Sequence, residues 1–255
     1  MICSESWLER YVGDEQQEVW AEILDFASTS GENVRSNIHV QAIVREAMQR
    51  ARRNVEVIIE RLRNSGYEFV DPSSNGYVPR TPLVSPTDSS PRFAQWLSER
   101  VGPVPMTVTE WIVVVGDVNL VGNHPEWPER DMLTDALVVE FELRGYADRG
   151  PGWDAREYCQ SELQAWKDDV AEYGADNVGR FALPFAPDLY HKANVSGGAP
   201  YGVYLPDSSV DATCRINGRD ISFIEYLREC FRFGGFPGAP SLPQIPSLCR
   251  GLQPI

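Results

Sequence analysis

The densest run of chemically capable side chains is Ala-Pro-Asp-Leu-Tyr-His-Lys-Ala-Asn-Val-Ser-Gly-Gly-Ala-Pro-Tyr-Gly, at positions 186–202. Asp188, His191, Lys192, Asn194, Ser196 and Tyr201 fall within fourteen residues, and Gly197 and Gly198 permit a close backbone approach. In such a set His191 has the chemistry of a general base oriented by Asp188. Ser196 has that of a nucleophile, and the glycine amides could receive an oxyanion. The usual companions of that chemistry are missing from the sequence: it has no Gly-x-Ser-x-Gly elbow and no phosphate-binding Gly-Lys-Ser/Thr. A polar turn between two strands, with His191 and Asn194 bonding backbone groups, explains the same residues and is the preferred expectation. Between the two lies binding, since long polar loops on a rigid scaffold often carry it. Asp188, His191, Ser196, Gly197, Gly198 and Tyr201 therefore form a candidate ligand loop.

Other chemistry is harder to assemble. His39, His124 and His191 sit on three segments, without His-x-His or His-Glu-x-x-His spacing. His124, with Glu126 and Asp131 nearby, would hold a divalent ion only if folding gathered them, so neither metal nor cofactor is expected. The 37 acids create many chance carboxylate pairs, and no spacing singles out a glycosidase pair. Among the aromatics, Trp111 and Trp166 lie on helical apolar faces and read as core. Trp127 and Trp153 lie in Pro/Gly-rich loops and are better candidates for contact with a partner.

The elements that must position these groups read as follows. Helices are expected over 4–27, with a break at Gly13-Asp14, and over 37–64, where apolar residues from Val40 to Leu62 advance in steps of three and four. The outer face of the second carries six arginines (Arg45, Arg50, Arg52, Arg53, Arg61, Arg63) against Glu46, Glu56 and Glu60. It reads as a solvated face or one packed on the chain's own acidic body, ahead of a dock for an acidic partner. A short strand at 67–70 leads into a proline-rich extended connector over 71–91. Ser90-Pro91 has N-cap character for a helix ending at Gly102. Thr107 and Glu110 have capping-box spacing for a helix over 108–115. Strands are expected at 117–122, 133–142, 179–185, 201–205 and 212–216, with helices at 155–172 and 221–233 and an extended proline-rich tail. This order predicts an α+β fold: a mostly antiparallel sheet flanked by helices, with a helical N-terminal extension. The expected division is a helical segment over 1–80 and an α+β domain over 81–255.

Composition narrows the function. With 42% hydrophobic and 24% charged residues, the 255-residue chain can bury roughly 70–75% of its unfolded surface without a disulfide or metal. The net charge of −14 disfavours nucleic acid and favours a basic partner. Of 23 basic residues 21 are arginine, a bias read as genomic base composition. The five cysteines are scattered, with no Cys-x-x-Cys, which fits free thiols in a reducing cytoplasm. No signal peptide or spanning run is expected, and no membrane partner.

Val101-Gly-Pro-Val-Pro105, followed by Val108, Trp111 and Gly116, resembles the "LP…L…F…G" signature of the SUKH superfamily. That group contains bacterial toxin-immunity proteins and a fungal regulator of glucan synthesis. Tyr-Gly-Val-Tyr-Leu at 201–205 is similar to a central strand of the family, and Ser-Phe-Ile-Glu-Tyr-Leu at 222–227 to its closing helix. The resemblance spans about residues 95–235. It implies a non-catalytic module that recognises a partner protein, in the immunity case a basic toxin. The surface expected to meet that partner comprises Trp127, Asp131, Trp153, His191, Lys192 and Asn194. The alternative is a small-molecule-binding protein or hydrolase that uses the 186–202 loop.

Overall fold

The N-terminal apolar spacing produces helices α1 (Glu5–Val12) and α2 (Gln16–Thr29), divided at Gly13 and Asp14. The buried Gln16 amide closes the division by donating to the Tyr11 and Gly13 carbonyls. Helix α3 (Ile38–Asn64) follows, capped by Asn37, whose Oδ1 accepts the His39 and Val40 amides. The structure is a computed structural model that describes residues 5–29, 34–73, 76–127, 134–149, 154–195 and 197–255.

The apolar stripe of α3 is fully enclosed, with Val40, Ile43, Val44, Ala47, Ala51, Val55, Ile58 and Leu62 at 0% exposure. Its arginines are largely spent inside the chain. Arg50 donates to Glu46, Val12 and Pro254; Arg52 to Glu56 and Val114; Arg53 to Gln253; Arg61 to Leu248. The face is thus partly packed on the chain's own body, while Arg45, Arg53 and Arg63 stay exposed to solvent. Asn54 completes the clasp, since its Nδ2 donates to Gln253 O at 2.8 Å and its Oδ1 accepts the Gln253 amide at 2.7 Å.

Beyond α3, β1 (Glu68–Ser73) and β2 (Gly76–Pro79) form an antiparallel hairpin, and β3 (Leu83–Val84) follows. The expected strandless connector is corrected here. Pro72 is tolerated because it lies beyond the reach of the other neighbour of β1, which pairs only at Glu68 and Phe69, so no ladder needs the missing N–H. Helix α4 (Ser90–Val101) begins at Ser90 itself. The Ser90 hydroxyl does not cap the helix; it donates to Glu142 at 2.7 Å.

The capping box also fails to form. Helix α5 (Met106–Glu110) starts two residues earlier than expected and continues as a wide π-turn over Trp111–Val115, which ends at Gly116. Carbonyls of Ser209 and Val210 take the Met106 and Thr107 amides, and the Thr107 hydroxyl accepts the Ala212 amide at 3.1 Å. The helix start is therefore satisfied by a distant loop rather than by Glu110. Gly116 has φ +93°, and a Cβ there would lie 2.2 Å from the Val84 carbonyl, so this turn requires glycine.

The remaining elements are β4 (Asp117–Asn119), β5 (Gly122–Asn123), β6 (Val138–Val139), α6 (Ala155–Tyr173), α7 (Ala175–Val178), β7 (Ala182–Ala186), α8 (Leu189–Lys192), β8 (Tyr201–Tyr204), β9 (Thr213–Ile216), β10 (Arg219–Ser222), α9 (Phe223–Arg232) and α10 (Ile245–Cys249). Among the described residues all pairings are antiparallel, in three small sheets ordered β2-β1-β5, β3-β4-β6 and β10-β9-β8-β7. The fold is α+β, with antiparallel sheets flanked by helices and a helical N-terminal region, as the element order predicts. The expected 117–122 strand is split because Asn119 Oδ1 accepts the Val121 amide and turns the chain into a second sheet. Strand β10 and helix α10 were not legible in the sequence pattern. Ser222 caps α9 by accepting the Glu225 amide. That helix buries Phe223, Ile224, Tyr226, Leu227, Cys230 and Phe231, each large apolar side chain contributing about 1.5–3 kcal/mol. No helix among the described residues is long and apolar enough to cross a membrane.

Replacing Asn54 by alanine leaves the Gln253 N–H and C=O unpaired beneath the tail. The expected loss is about 2 kcal/mol of unfolding free energy, with the secondary structure retained. Urea denaturation of the two proteins measures it.

Candidate functional site

Two walls face each other across a cleft of about 420 Å³. One is built by β7 and α8. Asp188 caps α8 with Oδ1, which accepts the Tyr190 amide at 2.7 Å and the His191 amide at 3.3 Å. Its Oδ2 lies 2.5 Å from His191 Nδ1. The Asp188 carboxylate is 4% exposed and the His191 ring 52%, so the acid is the buried anchor and the imidazole the group at the mouth. Burial pushes the Asp188 carboxyl up, but the His191 ring and the two amides outweigh it and hold the group below its ordinary range.

The other wall is the segment 140–146, which Asp117 holds. Asp117 Oδ1 accepts the Phe141 and Glu142 amides at 2.9 and 3.0 Å, and Oδ2 accepts the Arg144 amide at 2.8 Å. The Glu140 amide donates to Phe185 O at 2.9 Å and ties this wall to β7. Glu140 lines the cleft, and its buried carboxylate is held by Asn119 Nδ2 at 2.9 Å, Arg80 Nη2 at 3.2 Å and the Tyr146 hydroxyl at 3.3 Å. Burial pushes Glu140 up to about 7 against the pull of Arg80, and pushes Asp117 up to about 6 against its three amides. Tyr158 from α6, with Leu143, Phe185 and Pro200, gives the cleft its apolar surface.

The residues expected from the sequence divide across the structure. Asp188, His191 and Gly198 line the cleft. Gly197 lies beside it for a packing reason: a Cβ there would come 2.3 Å from Tyr190 Cβ and 2.9 Å from Asp188 Oδ1. Asn194 is exposed in a left-handed turn with φ +58°, where asparagine is well tolerated. Lys192 and Tyr201 do not line the cleft. They are buried around Asp135, with Lys192 Nζ 2.7 Å from Oδ1, the Tyr201 hydroxyl 3.0 Å from Oδ2, and the ammonium 4.3 Å from the Tyr201 ring centroid. Trp127 is half-buried; it stacks on His124 at 5.3 Å and meets Phe236 at 5.0 Å. Trp111 is core. Asp131, Trp153 and Ser196 lie outside the described residues.

His124 spends both ring nitrogens on backbone, since Nδ1 accepts the Glu126 amide and Nε2 meets Ser65 O. Among the described residues no group of three or more His, Cys, Asp or Glu side chains gathers as metal ligands would. The sequence reading missed Glu140, Tyr146, Tyr158 and Phe185. The available signal for Glu140 was an acid in the apolar run Val138-Val-Glu-Phe141. Nothing local could have paired that run with Phe185.

Two outcomes follow. Gly197→Ala is expected to lower stability by about 1–3 kcal/mol, because its Cβ overpacks against Tyr190. Gly198→Ala, with no atom within 4 Å of its new Cβ, should stay within about 0.5 kcal/mol of the parent. Thermal and urea unfolding of the pair check this. For pH, the folded forms of Asp117 and Glu140 bind protons more tightly than the unfolded chain does. Their stabilisation is complete in acid and lost as pH rises, for Asp117 up to about 6 and for Glu140 up to about 7. The unfolding free energy should fall across that window by roughly 1 kcal/mol per pH unit for each group. Glu140→Gln should flatten the slope.

No protein-family model matches the chain, and neither a curated protein nor a solved structure is similar enough to lend it a function.

Proposed function

We propose that the chain is a recognition protein that holds a partner at the mouth of this cleft without reacting with it. The observation that carries the reading is an apolar cleft whose wall residues Asp188 and His191 come from a turn that also exposes large apolar side chains. Tyr190 is 44% and Val195 51% exposed, and both belong to the α8 turn that supplies Asp188 and His191. A cavity walled by aromatic and aliphatic groups and rimmed by such residues suits an inserted anchor side chain. The net charge of −14 favours a basic partner and faster encounter with it. The SUKH resemblance adds the finer reading of an immunity protein that neutralises a basic toxin in the cytoplasm. Neither nucleic acid, membrane nor cofactor has a part in it.

A second reading is favoured by one arrangement. His191 Nδ1 is engaged by Asp188, which orients the ring as a general base is oriented in a small-molecule-binding hydrolase. On that reading His191→Ala abolishes an activity. On the recognition reading it alters affinity alone.

The test is calorimetric titration of the full chain with the proteins encoded beside its gene, repeated with Gly198→Trp. Gly198 lines the cleft and an added Cβ there meets no atom within 4 Å, so a bulky side chain at 198 is expected to obstruct the cleft with little strain on the backbone. Binding weakened about tenfold or more, with the melting temperature unchanged, is the expected result. Unaltered binding by the tryptophan variant overturns the cleft as the contact site.

A further inference from the structure

We infer that the tail segment 251–255 is a displaceable strap. It fills in cis a peptide-recognition groove on α3 and α9, and the outside partner of that groove is an extended, uncharged segment with apolar residues three places apart, as Leu252 and Ile255 are. The groove shares no residue with the cleft, so the inference does not rest on the recognition reading above.

The segment belongs to no helix or strand and lies open on the body. Gly251, Gln253 and Pro254 are exposed and Leu252 is half-buried, while Ile255 is 3% exposed and joins the core. One apolar anchor thus seats a surface ribbon. The main chain of the ribbon is held by side chains of the body. Asn54 takes both the N–H and the C=O of Gln253, Arg50 Nη1 donates to Pro254 O at 3.0 Å, and Arg228 Nε from α9 donates to Ile255 O at 2.7 Å. These bonds go to main-chain groups of three successive residues, which almost any sequence offers. The seats of Ile255 and Leu252 supply the choice of side chain. Main-chain bonds for affinity and side-chain seats for specificity are how extended peptides are recognised. On the open side Arg53 Nε adds a bond to Gln253 Oε1 at 2.7 Å.

Asn54 points to a ligand rather than to scaffold packing. It is 1% exposed, and among the described residues the two Gln253 groups are its hydrogen-bond partners. A buried amide costs free energy unless it is paired. Packing alone would be met by an apolar residue, as at Ala51, Val55 and Ile58 on the same stripe. Arg50 keeps Glu46 and Val12 O when the strap leaves, so its guanidinium stays in place. The opened groove therefore offers a donor and an acceptor spaced for one extended residue. Tethering holds the strap at an effective concentration on the order of millimolar, which shuts out outside segments of similar affinity.

The experiment adds acetyl-Gly-Leu-Gln-Pro-Ile to the full chain and to its Ile255→Gly variant, followed by calorimetry. The variant is expected to bind the peptide at least about tenfold more tightly than the wild type, because its own strap has lost the anchor. The same peptide with glycine as its last residue should bind the variant at least about tenfold more weakly. Absence of peptide binding by the variant, or equal binding by variant and wild type, overturns the inference. Hydrogen exchange of the wild-type chain decides the matter even if the variant folds poorly. The Gln253 amide should exchange at least about tenfold faster than the buried amides of α3, as a strap that opens by itself does. One common rate for both makes the tail part of the core and overturns the strap. A wild-type dimer that dissociates on Ile255→Gly puts the tail of a second copy in the groove and overturns the cis arrangement.

Discussion

Three backbone amides converge on one buried carboxylate, and the cleft depends on that convergence. Asp117 sits at the start of β4 with 3% exposure and accepts from Phe141, Glu142 and Arg144. These amides leave the edge of β6, where the chain stops being a strand and would otherwise carry unpaired donors into the interior. By collecting them, Asp117 fixes the direction in which Glu140 and Tyr146 emerge. The cost is visible in its own chemistry, since burial raises its carboxyl to about 6 even with three donors aimed at it. A carboxylate is suited to the task because its two oxygens have enough lone pairs to receive all three bonds at once.

The wall held by Asp117 becomes a cleft only because a second sheet lies beside it. The Glu140 amide, donating to Phe185 O, sets the end of β6 against β7. Phe185 in turn packs on Phe141, Phe223 and Tyr226. Helix α9 therefore supports the floor, while α8 caps itself on Asp188 and turns His191 outward. Behind this assembly, α3 is clasped by the C-terminal tail through Asn54, Arg50 and Arg61. The arginine face, which reads in sequence as solvated or packed on the chain itself, is thereby partly consumed internally. Its guanidiniums satisfy carbonyls of a tail that, being rich in proline, has few regular partners of its own.

Local order was legible where one residue decides it. The break at Gly13-Asp14 and the helix that ends at Val115, before Gly116, each follow from backbone chemistry within a few positions. The Asp188–His191 contact was legible for the same reason, since the two lie three residues apart on a helical turn. Ser90 and Thr107 mark the limit. Both have the residue types of a cap, yet Ser90 bonds Glu142 and Thr107 bonds Ala212, partners 52 and 105 residues away. A hydroxyl satisfied at long range is free of its local role, and no spacing rule reports that.

By itself the sequence determined the long helices, several strands, the α+β class and a polar loop. All of these depend on periodicity and on groups that meet within one turn of chain. Tertiary structure alone decided that Lys192 and Tyr201 turn inward to Asp135, that Trp127 packs on His124, and that Glu140 joins the loop to make a cleft. The reason is physical: a buried charge must find an opposite charge or a donor wherever folding places one. That partner is chosen by three-dimensional proximity, which residue order does not encode locally.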